Sequence, residues 1–192
     1  MASRRGRPRS EAVRSAVLTA AAELALAGGP AAASVEAIAR RAEVSRTTIY
    51  KWWPSAPAIV LEGLLDSVRD SITRPPGSTS VEAVVHHVCA LNAILVDPTV
   101  GPLLRNVIAA SASDPAIQQA LCDQWIAPRR AAVAATVRDA VEGGELRDDV
   151  DVEVVVDAVV SPPYYRLVLG MPPLDDRAID GLVRAVWRGY RH

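Results

Sequence analysis

The sequence predicts an all-α chain of about nine helices. Three observations predict it. Apolar residues recur at spacings of three and four in almost every segment. No stretch alternates as a half-buried strand does. The periodic segments are separated by Gly-Gly, Asp-Pro and Pro-Pro steps, which stop helices. Half of the 192 residues are hydrophobic and 22% are charged, a composition that builds a core instead of staying disordered. No apolar run approaches the ~18–20 uncharged residues of a membrane span. The basic start, Met-Ala-Ser-Arg-Arg-Gly-Arg-Pro-Arg-Ser, is not followed by an apolar segment with a cleavage site, so the expected location is the cytoplasm, with no membrane partner. Two cysteines, Cys89 and Cys122, are too few for a disulfide framework and read as free thiols.

Val13, Val17, Ala20, Ala21 and Leu24 mark a first helix over about 10–27, ended by Gly28-Gly29-Pro30. Ser34 caps a short second helix to about Ala42. A third starts near Ser45 and runs to Trp53, where Pro54 stops it. Ser55 caps a fourth, over 55–72, with Pro57 in its first turn. Arg74 to Ser80, rich in Pro, Gly and Ser, is a loop and the strongest border signal in the chain. The next helix starts at Ser80, with Glu82 favourable in its first turn, and runs to about Val96. Asp97-Pro98 breaks it, and another spans about 100–112. Asp114-Pro115 opens one long helix to about Glu142, closed by Gly143-Gly144. Helices over about 152–169, kinked at Pro162-Pro163, and 175–190 complete the chain. The Asp148-Asp149-Asp151 loop caps the first of these two.

Charge is divided unevenly. Residues 1–56 carry nine Arg or Lys against four Glu, and residues 57–192 carry twelve Arg against eighteen acids. Such a split points one end of the molecule at a polyanion. Residues 35–54 sit in the basic end. Two short helices joined by three or four residues must cross steeply here, with a small side chain where they approach. Ala39 supplies it, and Ile38, Ala42, Val44 and Ile49 point to one core. With Ile49 inward, Arg46, Thr47 and Lys51 project outward, flanked by Thr48 and Tyr50, on a face with almost no acid. That face suits the major groove of double-stranded DNA: Arg46 and Thr47 for base edges, Tyr50 and Lys51 for phosphates. The amide-rich starts at Ser34 and Ser45 add phosphate positions. Arg5-Gly6-Arg7-Pro8 has two readings: Arg5 and Arg7 enter a narrow A·T minor groove, or the arm is disordered and attracts phosphates only.

This stretch resembles the tetracycline-repressor (TetR-like) family of bacterial regulators, matching its pattern at Gly29, Ile38, Ala39, Ala42, Val44, Ser45, Thr48, Ile49, Tyr50, Trp53 and Ser55. It departs at Glu43, where the family has a Gly that often takes a left-handed conformation, and at Ala56, where a phosphate-binding Lys is usual. Residues 144–151, 163–167 and 173–176 extend the likeness less specifically. The resemblance implies a flexible basic arm over 1–9, a three-helix helix-turn-helix DNA-binding domain over 10–54, and a helical-bundle ligand-binding and dimerisation domain over 55–192. It further implies a homodimer formed by the last two long helices. The dimer would read a near-palindrome and be released by a small apolar or aromatic ligand, with the fourth helix as the only covalent link.

Trp125, Tyr164, Tyr165, Asn92, Gln118, Gln119 and Arg105 are candidates for a cavity wall, against ordinary packing and solvated faces. His86 and Cys89 share a helix face and are read with them as ligand-site candidates. Their spacing with His87 and Cys122 does not demand a metal, so no metal and no cofactor is expected. One of Trp52 and Trp53 should anchor the DNA-reading unit to the fourth helix while the other rims the DNA face. No nucleophile elbow, phosphate loop, His-Glu-x-x-His or paired carboxylate marks an enzyme. The alternative to a ligand-responsive repressor is a ligand-independent or architectural DNA-binding dimer. A cavity lined by residues 86–125 and 160–170 would favour the sensor, and a sealed interior the alternative.

Overall fold

Helices α1 (Arg7–Gly28), α2 (Val35–Arg41), α3 (Arg46–Tyr50), α4 (Ala56–Ser67), α5 (Ser80–Val96), α6 (Val100–Ser111), α7 (Pro115–Leu121), α8 (Ala127–Glu142), α9 (Val152–Leu169) and α10 (Asp176–Gly189) follow in order, with a 3-10 turn at Pro30–Ala32 and no strand among the described residues. The computed structural model describes residues 7–67, 73–98 and 100–192; of residues 7–10, 30 and 65–67 it describes the backbone alone. A π turn, Cys122–Ile126, joins α7 directly to α8. Among the described residues the segments therefore amount to nine helices, as the periodicity predicts.

Local chemistry sets most boundaries. Ser34, Ser45, Asp114, Asp151 and Asp175 each accept a backbone N–H of the first turn of the helix they precede, which satisfies donors that have no partner inside the helix. Three details differ from the sequence reading. α1 begins at Arg7, so residues 7–9 are helical and not a flexible arm; Pro8 falls in the first turn, where its missing N–H costs nothing. α5 is capped one residue earlier than expected, by a full reciprocal box of Thr79 and Glu82. The long helix from Pro115 widens into a π turn just before Pro128, whose ring would clash with the carbonyl of Gln124 in a regular helix. The predicted continuation of α4 over 68–72 lies outside the described residues.

The chain divides into two units, residues 1–67 with 106–125, and residues 68–105 with 126–192. The chain thus passes between units at three places. In the first unit α1 packs on α2 and α4, and α4 on α7. Val17, Ile38, Ile49, Ile59 and Leu61 are fully buried, each contributing about 1.5–3 kcal/mol of apolar burial. α1 and α4 touch at Gly63, where a Cβ would stand 2.6 Å from the Leu18 carbonyl oxygen. In the second unit α5 packs against α8, α9 and α10, around Val84, Val88, Val137, Val156, Ile179 and Val183. Among the described residues no single helix is long and apolar enough to cross a membrane.

Candidate functional site

α2 and α3 form the helix-turn-helix around two fully buried isoleucines, Ile38 and Ile49. Ala39 is nearly buried where the helices meet, and Ala42 and Val44 are half-buried. The turn between them is built on Glu43, whose φ of 55° is left-handed. This is the conformation for which the family pattern uses Gly. Val44 N–H closes the turn by donating to the Ala39 carbonyl at 3.0 Å.

With Ile49 inward, Arg46, Thr47, Tyr50 and Lys51 are exposed on the opposite side of α3. Tyr50 is 57% exposed. Ser45 Oγ accepts from Thr48 N–H at 3.1 Å and lies 2.9 Å from Thr48 Oγ1, so half-buried Thr48 serves the cap as well as flanking the face. Ser34, also exposed, caps α2 by accepting from Ala37 N–H at 3.2 Å. These residues lie together on one helix pair. Arg5 and the side chain of Arg7 lie outside the described residues. The sequence reading gave this face almost no acid, but the fold brings Glu36 of α2 to 3.0 Å from the Arg46 guanidinium. Glu36 is exposed, and its carboxyl is held below the usual range by its own backbone N–H and then by Arg46. Ten residues apart on two helices, the pair leaves no local sequence signal.

One of the two tryptophans is the expected anchor onto α4. Trp53 is buried and its indole N–H donates to Glu62 of α4 at 2.5 Å, while Trp52 is 40% exposed. Glu62 also accepts from Arg14 of α1. One carboxylate therefore ties the end of the helix-turn-helix and α1 to α4, a link that sequence reading missed.

The second unit contains a cleft of about 250 Å³. Asn92, Leu95 and Val96 from the end of α5 form one side, with Asp97 and Pro98. Gly101, Pro102 and Arg105 of α6 form the next, and Pro163, Arg166 and Leu167 of α9 the third, closed by Met171 and Pro173. Gly101 permits this arrangement, since a Cβ there would lie 2.3 Å from the Leu95 carbonyl oxygen. Past α9, Gly170 at φ 65° and a Met171 N–H to Arg166 carbonyl bond of 2.9 Å turn the chain. Arg166 then donates to the Pro172 carbonyl at 2.6 Å, and Asn92 Nδ2 to the Leu174 carbonyl at 2.9 Å.

Of the ligand-site candidates Asn92 and Arg105 line this cleft, and the Asn92 amide pins the α9–α10 connection. His86 and Tyr165 are exposed. Cys89 is half-buried, and burial followed by Asp176 pushes its thiol up to about 11. Tyr164 is half-buried near Arg129, a buried guanidinium that desolvation pulls down to about 10. Trp125 is fully buried in the first unit. These five face other surfaces because helical period tells inward from outward, not which inward space a side chain meets. Among the described residues no three His, Cys, Asp or Glu side chains gather into a metal site.

α9 also carries an exposed stripe: Val154, Ala158, Ser161, Tyr165 and Val168, at helical spacing, with Leu169 beside it. α10 exposes small residues at Ala178, Gly181, Ala185 and Gly189.

Residues 17–62 match the family model described as bacterial regulatory proteins, tetR family, and residues 75–186 match the tetracyclin repressor-like C-terminal domain. The uncharacterized HTH-type transcriptional regulator YdeS of Bacillus subtilis strain 168 is 33% identical over 191 residues, covering all of this chain and 96% of its own. The DNA-binding transcriptional repressor TetR of Mycobacteroides abscessus is 29% identical, covering 91% of this chain and 92% of its own. The crystal structure of the TetR family transcription regulator SCO0332 superposes with a TM-score of 0.81 at 34% identity, covering 94% of this chain and 99% of that one. Regulators of this family bind DNA and function as dimers, and are not enzymes. The helix-turn-helix, the helical second unit and the full-length likeness agree: this chain belongs to the TetR family of bacterial DNA-binding transcriptional regulators.

Proposed function

We propose that this regulator is a ligand-responsive repressor, a homodimer released from a near-palindromic operator when a small molecule occupies the second unit. The observation that carries the sensor reading is the cleft lined by residues 92–105 and 163–173. A ligand-blind architectural dimer has no use for such a space. The repressor sign is supported by the Mycobacteroides abscessus relative, a DNA-binding transcriptional repressor. A ligand works here only by preferring the conformation that does not fit the operator.

Arg46 and Thr47 read base edges, and Tyr50, Lys51, Ser34 and the Ser45–Thr48 cap hold phosphates; Arg5 and Arg7 add backbone attraction. By role the chain divides into a basic arm over 1–9, whose last three residues already belong to α1, a DNA-binding domain over 10–54 and a sensing and dimerisation domain over 55–192. Dimerisation uses the exposed stripe of α9 against α10, which would set two α3 helices ~34–36 Å apart on one face of DNA.

The test is selection of bound sequences from a random DNA pool at physiological salt, using the full-length protein. A near-palindrome with half-sites one turn apart is expected. Arg46→Ala and Thr47→Ala should then relax preference at particular positions by ~1–3 kcal/mol. Lys51→Ala should weaken binding to all sequences and flatten its salt dependence. A triple variant that keeps specific binding would refute the assignment of α3.

A further inference from the structure

We infer that the cleft between the end of α5, the start of α6 and the end of α9 binds a small carboxylate with an apolar body. This rests on the sensor reading above and names its ligand class. Two guanidinium groups, Arg105 and Arg166, line one space of about 250 Å³ whose other walls are mainly apolar, among them Leu95, Pro102, Leu167 and Met171. Arg105 is exposed and forms no ion pair among the described residues. Arg166 gives one amino group to the Pro172 carbonyl and is likewise without an acid partner. Five of the nine other arginines described in the second unit are paired with acids: Arg74 with Asp139, Arg130 with Glu153 and Asp157, Arg147 with Asp149, Arg184 with Asp180 and Arg191 with Glu145. The one acid at the cleft, Asp97, is turned to the start of α6, where it accepts from Val100 N–H at 2.8 Å.

A guanidinium fork matches a carboxylate in two parallel bonds, and the low-dielectric walls strengthen them. The cleft is also prepared in advance. Four of its lining residues are prolines, which lose no side-chain entropy when a ligand arrives, and its closing loop is already held by Asn92 and Arg166. A bare inorganic anion would leave the apolar walls wet, and a neutral apolar molecule would strip water from two cations without replacing it.

The test uses calorimetry on the full-length protein with benzoate, salicylate, phenylacetate, indole-3-acetate and octanoate, each beside its carboxamide, and with inorganic phosphate. At least one carboxylate should bind at least tenfold more tightly than its amide and than phosphate. Arg105→Gln, at an exposed side chain without an ion pair among the described residues, should remove most of that preference. Arg166→Lys, which keeps the charge and loses the fork, should reduce it. Amides binding as well as acids, phosphate binding as well as either, no member binding at all, or a preference unchanged in Arg105→Gln each overturns the proposal. Operator release, read by fluorescence anisotropy on the selected DNA, separates the two readings. A carboxylate that binds through Arg105 yet leaves DNA bound sinks the sensor reading and keeps the site. An amide that releases DNA keeps the sensor and sinks the ligand class.

Discussion

Glu43 holds a left-handed backbone at φ 55° to end α2, a position where a Cβ crowds the following carbonyl. Glu43→Gly should therefore raise stability by about 0.5–1 kcal/mol, read as a higher urea midpoint with unchanged slope. A lower midpoint would mean that the Glu43 side chain contributes more than its backbone costs. The two thiols make a second test at this scale. Cys89 is half-buried with its pKa raised to about 11, so at pH 8 it is protonated and poorly nucleophilic, whereas Cys122 is exposed on the π turn. Iodoacetamide at pH 8 should modify Cys122 first and Cys89 more than tenfold more slowly by peptide mass mapping. Equal rates would show that the contact of Cys89 with the α10 acids opens readily. Both cases follow from a backbone angle or a local environment that one side chain cannot escape.

Between elements, contact depends on what is absent as much as on what is present. At Gly63, α4 lies directly against the Leu18 carbonyl of α1, with 2.6 Å where a Cβ would stand. Gly63→Ala forces these helices apart and should cost ~1–3 kcal/mol in urea unfolding. It should also lower operator affinity, because the spacing of α1 and α4 sets how Glu62 receives Trp53 and Arg14. Unchanged stability would show that α1 can shift without penalty. The caps of α2, α3, α7, α9 and α10 were legible in the sequence because each cap reaches only two or three residues ahead. The Arg46–Glu36 pair and the Glu62 clamp were not legible. They join helices whose relative placement depends on packing, and no spacing along the chain encodes them.

At the scale of the whole molecule, function depends on a second copy. The α9 stripe exposes Val154, Tyr165, Val168 and Leu169, each 47–59% accessible, beside the small residues of α10. Contiguous apolar surface of this kind costs solubility unless it is covered. Tyr165→Asp with Val168→Asp should yield a monomer by sedimentation velocity with helicity intact. Operator affinity should fall ~10²-fold or more as two linked half-site contacts become one. A variant that stays dimeric would place the interface elsewhere.

What the sequence determined by itself is what short range can determine. It settled the all-helical class, the ends of most helices, the outward face of α3 and the family, because period, capping and turn chemistry act within a few residues. Tertiary structure decided the rest. The cleft joins residues 92–105 to residues 163–173 across some sixty intervening positions, and of the side chains expected to form a site only Asn92 and Arg105 meet there. Helical period tells each residue only whether it points inward. Which cavity lies there depends on how the helices pack, and that is settled by close approaches such as Gly101 on Leu95 that no local pattern announces.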